Sequence, residues 1–137
     1  DPIIEKSLLQ NRIKLIQSIR NQKIPTGQFN RYKYSPHSFG EKSNGLIYNI
    51  RNCFLEPSLN TSKDWIDSCL KQISIAFRMK KPAVICTRRL NYIGYINDKN
   101  RDLGLSNLEE IINNILKYWP DVEFITTDQL IEKIEWK

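Results

Sequence analysis

Two amphipathic helical segments on either side of a short apolar run constrain the fold of this chain most strongly. Residues 62–79 and residues 106–119 both carry apolar side chains at helical spacing, and Ser106 with Glu109 forms a capping box. Between them, residues 82–87 form a continuous apolar run that opens with a proline, which is typical of a strand covered on both faces. Strands that alternate with such helices predict parallel pairing through right-handed crossovers.

The remaining segments extend this pattern. Apolar spacing predicts a helix over residues 3–20, strand-forming residues fill 46–55 and 122–126, and Thr127 is expected to cap a last helix. The polar stretch 21–45 is expected to be a long loop or linker. The predicted order is therefore α–loop–β–α–β–α–β–α, an α/β fold with parallel β-α-β units.

This order predicts two regions: an N-terminal helix with a basic and aromatic linker over residues 1–45, and a β-α-β-α-β-α domain over residues 46–137. Three strands are too few to close a barrel. The domain is therefore expected to be a partial (β/α) barrel, an open three-layer sheet with flanking helices, or half of an oligomer. Because the chain opens at Asp1 with no initiator methionine and no visible signal peptide, we expect a trimmed chain and favour a cytoplasmic location.

The charge of the chain is uneven. Of its 137 residues, 21 are basic and 15 are acidic, which gives a net charge of +6. Residues 1–100 hold 17 basic and 7 acidic side chains, or +10, whereas residues 101–137 hold 4 and 8, or −4. Such a basic body indicates either solvated lysine faces or a surface for a polyanion. A basic module that binds nucleic acid or another polyanion is therefore the alternative functional class.

The linker interleaves aromatic with basic residues, namely Phe29, Arg31, Tyr32, Lys33, Tyr34 and Phe39. Aromatic and basic side chains in this pattern can stack on nucleobases or on sugar rings. They can also anchor the linker to the rest of the fold, which is the interpretation that we favour. No apolar run approaches the ~20 residues of a membrane span, so we expect no membrane partner.

Motifs for metal binding and nucleophilic catalysis are sparse. Cys53, Cys69 and Cys86 lie far apart without a C-x-x-C pair, so buried structural thiols are expected in place of a zinc site. Unpaired cysteines also favour a reducing compartment. The one histidine, His37, follows a proline in the linker and is expected to be solvated or hydrogen-bonded, because one imidazole makes neither a metal site nor a Ser-His-Asp triad.

The ends of the predicted strands supply the candidate ligand-binding residues, because ligands of parallel α/β folds meet the loops at the carboxyl ends of the strands. Glu56 follows the first predicted strand, and Arg88 and Arg89 follow the second. Two adjacent guanidinium groups can clamp an anion. Alternatively, Arg88 or Arg89 pairs with Asp98 or Asp102 and only fixes the loop.

Five segments within residues 44–134 carry a family resemblance. They are RNCFLEPS at 51–58, AFRMKKPAVI at 76–85, TRRLNYIG at 87–94, NRD at 100–102 and YWPDVEF at 118–124. In these segments the chain resembles the C-terminal part of polysaccharide deacetylase-like proteins, which belong to the carbohydrate esterase barrel group. The run from Lys81 to Gly94, followed by WPDVEF, is the most specific part of the resemblance.

The resemblance implies a seven-stranded β/α barrel whose last three units lie in this chain. It also implies that such enzymes remove acetyl groups from a sugar polymer with a divalent metal, zinc, held by an Asp and two His in the N-terminal half. A further His after the penultimate strand acts as general acid. Here the chain departs from the family, because it has a single histidine and carries Arg88 where the general acid is expected. Arginine does not release its proton near neutral pH.

The resemblance therefore implies a C-terminal part, or a degenerate relative, of a polysaccharide deacetylase-like hydrolase without catalytic residues or a cofactor in this chain. Its remaining role would be structural or carbohydrate binding. Glu56, Arg88, Arg89 and Asn91 would line the former pocket, and of these Arg89 and Asn91 match the family pattern. The expected partners are a carbohydrate polymer, a second copy of the chain, or a missing N-terminal half.

Overall fold

The computed structural model describes residues 2–95 and 97–135. Its helices are α1 (Pro2–Gln10), α2 (Trp65–Arg78), α3 (Asp98–Tyr118) and α4 (Thr127–Glu135), with a 3₁₀ helix at Arg89–Asn91. Its strands are β1 (Leu15–Ser18), β2 (Asn21–Pro25), β3 (Tyr32–Pro36), β4 (Glu41–Ser43), β5 (Leu46–Ile50), β6 (Cys53–Phe54) and β7 (Ile85–Cys86). The chain divides into two compact units, unit 1 with Asp1–Arg51 and Ile125–Lys137, and unit 2 with Asn52–Phe124.

Unit 2 is built on one β-α-β unit. Strand β6 pairs in parallel with β7, and α2 connects them. Helix α2 begins where the Asp64 carboxylate accepts a hydrogen bond of 2.8 Å from the backbone N–H of Asp67. The helix predicted over 62–79 and the strand predicted over 82–87 are therefore confirmed, although both are shorter than expected.

The core of unit 2 lies between this β-α-β unit and α3. Its buried members are Cys53, Leu55, Trp65, Cys69, Ile73, Ile111 and Ile115. Phe77 and Trp119 pack edge to face beside them, with ring centroids 5.2 Å apart. The expected burial of free thiols is confirmed for Cys53 and Cys69, whereas Cys86 is only half-buried.

Helix α3 begins earlier than the sequence predicts. The capping box at Ser106 and Glu109 marks a start near residue 106, but the helix begins at Asp98. The side chain of Asn97 caps it by accepting a hydrogen bond of 3.1 Å from the backbone N–H of Lys99. The helix therefore begins at the Asn97 cap, and the capping-box pattern of Ser106 and Glu109 lies inside the helix.

Gly104 lies buried inside α3, where glycine is a poor helix former. A Cβ atom at this position would lie 1.9 Å from the backbone carbonyl oxygen of Asn91. The absence of a side chain is what allows α3 to approach the 3₁₀ helix so closely. This contact fixes the position of Asn91.

Unit 1 contains two small sheets. Strand β5 is the centre of one of them, and it pairs in parallel with β1 and antiparallel with β4. Strands β2 and β3 form an antiparallel hairpin. The core of the unit consists of Leu46, Tyr48 and Ile50 from β5, against which Leu8 and Ile16 pack.

The predicted helix over residues 3–20 is wrong in its second half. Arg12 adopts a left-handed conformation with a φ of 60°. Its N–H donates to the carbonyl of Leu9, and the N–H of Ile13 donates to the carbonyl of Leu8. This Schellman arrangement ends α1, and the residues beyond it pair with β5 as strand β1.

The predicted loop over residues 21–45 is also wrong in part, because it contains β2, β3 and β4. Gly27 and Asn30, two residue types that tolerate positive φ, form the turn of the hairpin. The predicted strand 46–55 is divided between β5 and β6, which belong to different sheets. Helices and strands are therefore mixed as an α/β chain, but the strands form three small sheets in place of one parallel sheet.

The last helix is confirmed, with its cap one residue earlier than predicted. The Thr126 hydroxyl accepts from the backbone N–H of Gln129 at 3.3 Å, and the Gln129 side chain accepts from the N–H of Thr126 at 2.8 Å. This is a capping box. Residues 122–126 do not form the predicted strand. Thr126 belongs to the cap of α4, and Val122 packs against the core of unit 2.

Replacing Gly104 with alanine should destabilise unit 2 although alanine favours helices by about 1 kcal/mol. The new Cβ would overlap a backbone atom that cannot move aside, and such overpacking costs about 1–3 kcal/mol. Because an approach of 1.9 Å to a backbone atom is a severe overlap, the cost should lie near 3 kcal/mol, and urea unfolding should show a net loss of about 2 kcal/mol once the helix gain of about 1 kcal/mol is subtracted. The control Ser106→Ala, at an exposed position of the same helix, should not lower stability. A Gly104→Ala protein as stable as the original would contradict the close approach.

Alkaline pH should destabilise unit 2 through its buried thiols. Burial raises the pKa of Cys53 from 9.0 to about 12 and that of Cys69 to about 11, and the neighbouring Cys69 adds to the shift at Cys53. The unfolded chain therefore loses its thiol protons at a lower pH than the folded protein does. The contribution of these thiols to the free energy of unfolding is fully present below pH 9 and is lost as pH rises towards 11–12. Unfolding free energies measured from pH 8 to 11 should fall less steeply after Cys53→Ala and after Cys69→Ala than in the unaltered protein. Slopes in both variants equal to that of the unaltered protein would contradict this expectation.

Candidate functional site

Polar side chains of unit 2 gather at the carboxyl ends of β6 and β7. Glu56 lies two residues beyond β6, and Thr87 follows β7 directly. Because the two strands are parallel, these ends lie at the same edge of the sheet. The 3₁₀ helix that follows brings Asn91 into contact with Glu56.

Asn91 is fully buried, and both polar atoms of its side chain have partners. Its Nδ2 donates to Glu56 Oε2 and to Thr87 Oγ1, both at 3.0 Å. Its Oδ1 accepts from the backbone N–H of Ser58 at 3.1 Å and also contacts the Ser58 hydroxyl. The Thr87 hydroxyl in turn lies 2.8 Å from the hydroxyl of Tyr92. One amide thus joins the segments that follow both strands.

The carboxylate of Glu56 links this buried network to the surface. Its side chain is only 7% exposed, and Oε1 lies 3.5 Å from Nε of Arg88, whose side chain is 62% exposed. The ion pair itself contributes little to stability because solvent screens the guanidinium. The pair does place an acceptor and a donor group side by side at the edge of the sheet.

The structure thus brings together Glu56, Arg88 and Asn91 from the predicted set. Arg89 lies on the 3₁₀ helix with an exposed side chain. In the part of the chain that the structure describes, Arg89 has no side-chain hydrogen bond or ion pair. It is therefore available to a ligand without being held in place.

The alternative interpretation, in which Arg88 or Arg89 pairs with an aspartate of the following loop, is wrong. Asp98 and Asp102 both pair with Arg101, at 3.7 and 2.8 Å. These two pairs also raise the pKa of Arg101, mainly through the hydrogen bond to Asp102. The loop therefore has its own ion pairs, and Arg88 pairs with Glu56.

Ser58, Thr87 and Tyr92 are members of the network that lie outside the predicted set of binding residues. All three lie within the segments that carry the family resemblance. Short hydroxyl side chains have no spacing pattern that separates a buried hydrogen-bond partner from a solvated group. Only their position at the ends of two adjacent strands could have indicated them.

His37 belongs to unit 1, and its ring is buried there. It stacks on the ring of Tyr48 with centroids 3.8 Å apart. Its Nδ1 lies 3.2 Å from Glu41 and its Nε2 lies 3.0 Å from the Gln22 amide oxygen. Hydrogen bonds from the backbone of Ser38 and from this ring lower the pKa of Glu41. The prediction of a hydrogen-bonded histidine is confirmed.

The metal centre that the resemblance implies does not fit these residues. It requires an Asp and two His, and the single histidine of this chain is held in the core of unit 1. Among residues 2–95 and 97–135, no group of three or more His, Cys, Asp or Glu side chains is placed to hold a metal ion.

No family model matches this chain, and no curated protein or solved structure is significantly similar to it. Among the helices that the structure describes, none is long and apolar enough to cross a membrane.

Replacing Asn91 with alanine should lower the free energy of unfolding by about 2–3 kcal/mol, because the N–H of Ser58 and one oxygen of Glu56 lose their buried partner. Urea unfolding measures this change. Asn113→Ala, at an exposed position on α3, is the matched control and should change stability by less than about 0.5 kcal/mol. Equal stability of both variants would show that the amide does not hold the site.

Proposed function

We propose that unit 2 is a non-catalytic, carbohydrate-binding relative of the polysaccharide deacetylase-like hydrolases, with its sugar site at Glu56 and Arg88. One observation carries the proposal. A buried carboxylate, held by a buried amide, lies beside an exposed guanidinium at the carboxyl ends of two parallel strands. In α/β folds, ligands bind at that edge of the sheet.

The proposed fold of this region is a partial (β/α) barrel. Strands β6 and β7 would be two neighbouring strands of that barrel, and α2 would be the helix between them. Their parallel pairing supports this view, as does the helical crossover. Each strand has only one partner in this two-stranded sheet, so further strands from a longer chain or a second copy could pair at its edges.

The residues of the site suit the hydrogen-bonding needs of a sugar. Sugar hydroxyls both donate and accept, so a binding site needs acceptors as well as donors. Glu56 supplies carboxylate oxygens, and Arg88 with Arg89 supplies guanidinium N–H groups. Asn91 is a positioning residue, because it is fully buried and acts on the sugar only through Glu56.

The proposed role is binding without hydrolysis. Arg88 stands where the resemblance implies a general acid, and a guanidinium with a pKa above about 12 does not transfer a proton at neutral pH. The permanent positive charge of Arg88 favours binding, since its guanidinium N–H groups can donate hydrogen bonds to a hydroxyl or a carbonyl oxygen of the sugar.

Calorimetric titration with N-acetylated chito-oligosaccharides tests the proposal. Glu56→Gln and Arg88→Gln should each weaken binding at least about tenfold, because a hydrogen bond to a charged group contributes about 1.5–3 kcal/mol and about 1.4 kcal/mol corresponds to a factor of ten. The matched control is Arg78→Gln, which removes an exposed arginine at the end of α2 and should leave affinity unchanged. Circular dichroism should show that all three variants are folded.

Two results would contradict the proposal. If the unaltered protein binds no oligosaccharide, unit 2 is not a carbohydrate module. If added zinc or cobalt produces robust acetate release from the same oligosaccharides, the chain has a working catalytic centre.

A further inference from the structure

The hairpin of β2 and β3 presents an aromatic and basic face to solvent. Its register places Lys23 opposite Tyr34 and Pro25 opposite Tyr32, so these four side chains share one face of the hairpin. Tyr32 and Tyr34 are exposed residues, with relative accessibilities of 51% and 60%. The expectation that these aromatic residues anchor the segment is therefore wrong for both tyrosines.

We propose that this face of unit 1 binds an acidic polysaccharide, one whose sugar rings carry carboxylates. The inference rests on the proposed carbohydrate function and extends it to the charge of the polymer and to another binding surface.

The two tyrosines can take two rings of one chain. They lie two residues apart on one strand, or about 7 Å along it. The face of an aromatic ring is negative, so it attracts the weakly positive C–H groups on the flat side of a sugar ring. Two such platforms on a rigid hairpin favour an extended polymer.

Lys23 indicates the charge of that polymer. Its Nζ lies 5.8 Å from the centre of the Tyr32 ring and 5.9 Å from that of the Tyr34 ring. A uronic acid carries its carboxylate directly on the sugar ring. A ring stacked on either tyrosine therefore brings its carboxylate within reach of the ammonium group.

The rest of the segment has the same charge. Residues 19–38 contain Arg20, Lys23, Arg31 and Lys33 and no acidic residue. Within the described residues none of these four side chains forms an ion pair. A neutral polymer would leave these cations without a partner, whereas a polymer of uronic acids would pair with them.

Single-stranded nucleic acid is the competing ligand, because it also combines flat rings with negative charge. Its charge lies on the phosphate and not on the stacked base. The cation close to both ring centres therefore favours the uronate, and the two polymers can be compared directly.

The experiment measures binding of the full chain to polygalacturonate, to the neutral polymer pullulan and to oligo(dT). Polygalacturonate should bind best, with affinity that falls as salt is raised. Tyr32→Val with Tyr34→Val keeps strand-forming residues but removes both rings, and it should weaken this binding at least tenfold. Lys23→Gln should also weaken it. The control Tyr118→Ala removes a tyrosine of similar exposure from unit 2 and should have no effect.

A second measurement does not depend on the variants. In the unaltered protein, polygalacturonate should shift the NMR amide signals of residues 21–24 and 32–35. Absence of these shifts, equal binding of pullulan, or tighter binding of oligo(dT) to the same face would overturn the inference. Glu56→Gln should still weaken binding of short chito-oligosaccharides in that case, so failure of the hairpin surface is distinguishable from failure of the site in unit 2.

Discussion

The buried side-chain amide of Asn91 is the interaction on which the rest of unit 2 depends. It bonds to the segment after β6 through Ser58 and Glu56, and to the end of β7 through Thr87. Gly104 then lets α3 pack against the backbone carbonyl of the same residue. Leaving this buried amide without hydrogen-bond partners would lower the stability of unit 2 by about 1–3 kcal/mol. The amide therefore requires the segments after both strands to be in place.

This arrangement determines what the site offers to a ligand. Glu56 is held from the inside by Asn91, so its other oxygen is directed to Arg88. The proposed sugar site is therefore preorganised on its acceptor side and adaptable on its donor side, where Arg88 and Arg89 are exposed. Preorganisation of the acceptor lowers the entropy that binding must overcome. The permanent charge of Arg88 suits the proposed binding role, because a guanidinium donates hydrogen bonds but does not transfer a proton at neutral pH.

Sequence periodicity was sufficient to predict secondary structure where one periodic segment forms a single helix or strand. Helix α2 and strand β7 follow from apolar spacing and from a covered apolar run. It failed where a local backbone conformation changes the outcome, as at Arg12, whose left-handed φ ends α1 within a region of helical spacing. Glu56 and Arg88 could be selected because they follow strands. The role of Gly104 could not be foreseen, because a glycine inside a helix shows its purpose only when the atom it contacts is known.

The most direct measurement is an NMR titration that observes the side-chain NH₂ group of Asn91 while N-acetylated chito-oligosaccharide is added. This group donates to Glu56 and is fully buried, so it reports on the carboxylate without touching the sugar. If sugar binds at Glu56 and Arg88, the two amide proton signals should shift in a saturable manner. Signals that stay unchanged while oligosaccharide binds elsewhere, or does not bind at all, would contradict a sugar site at this edge of the sheet.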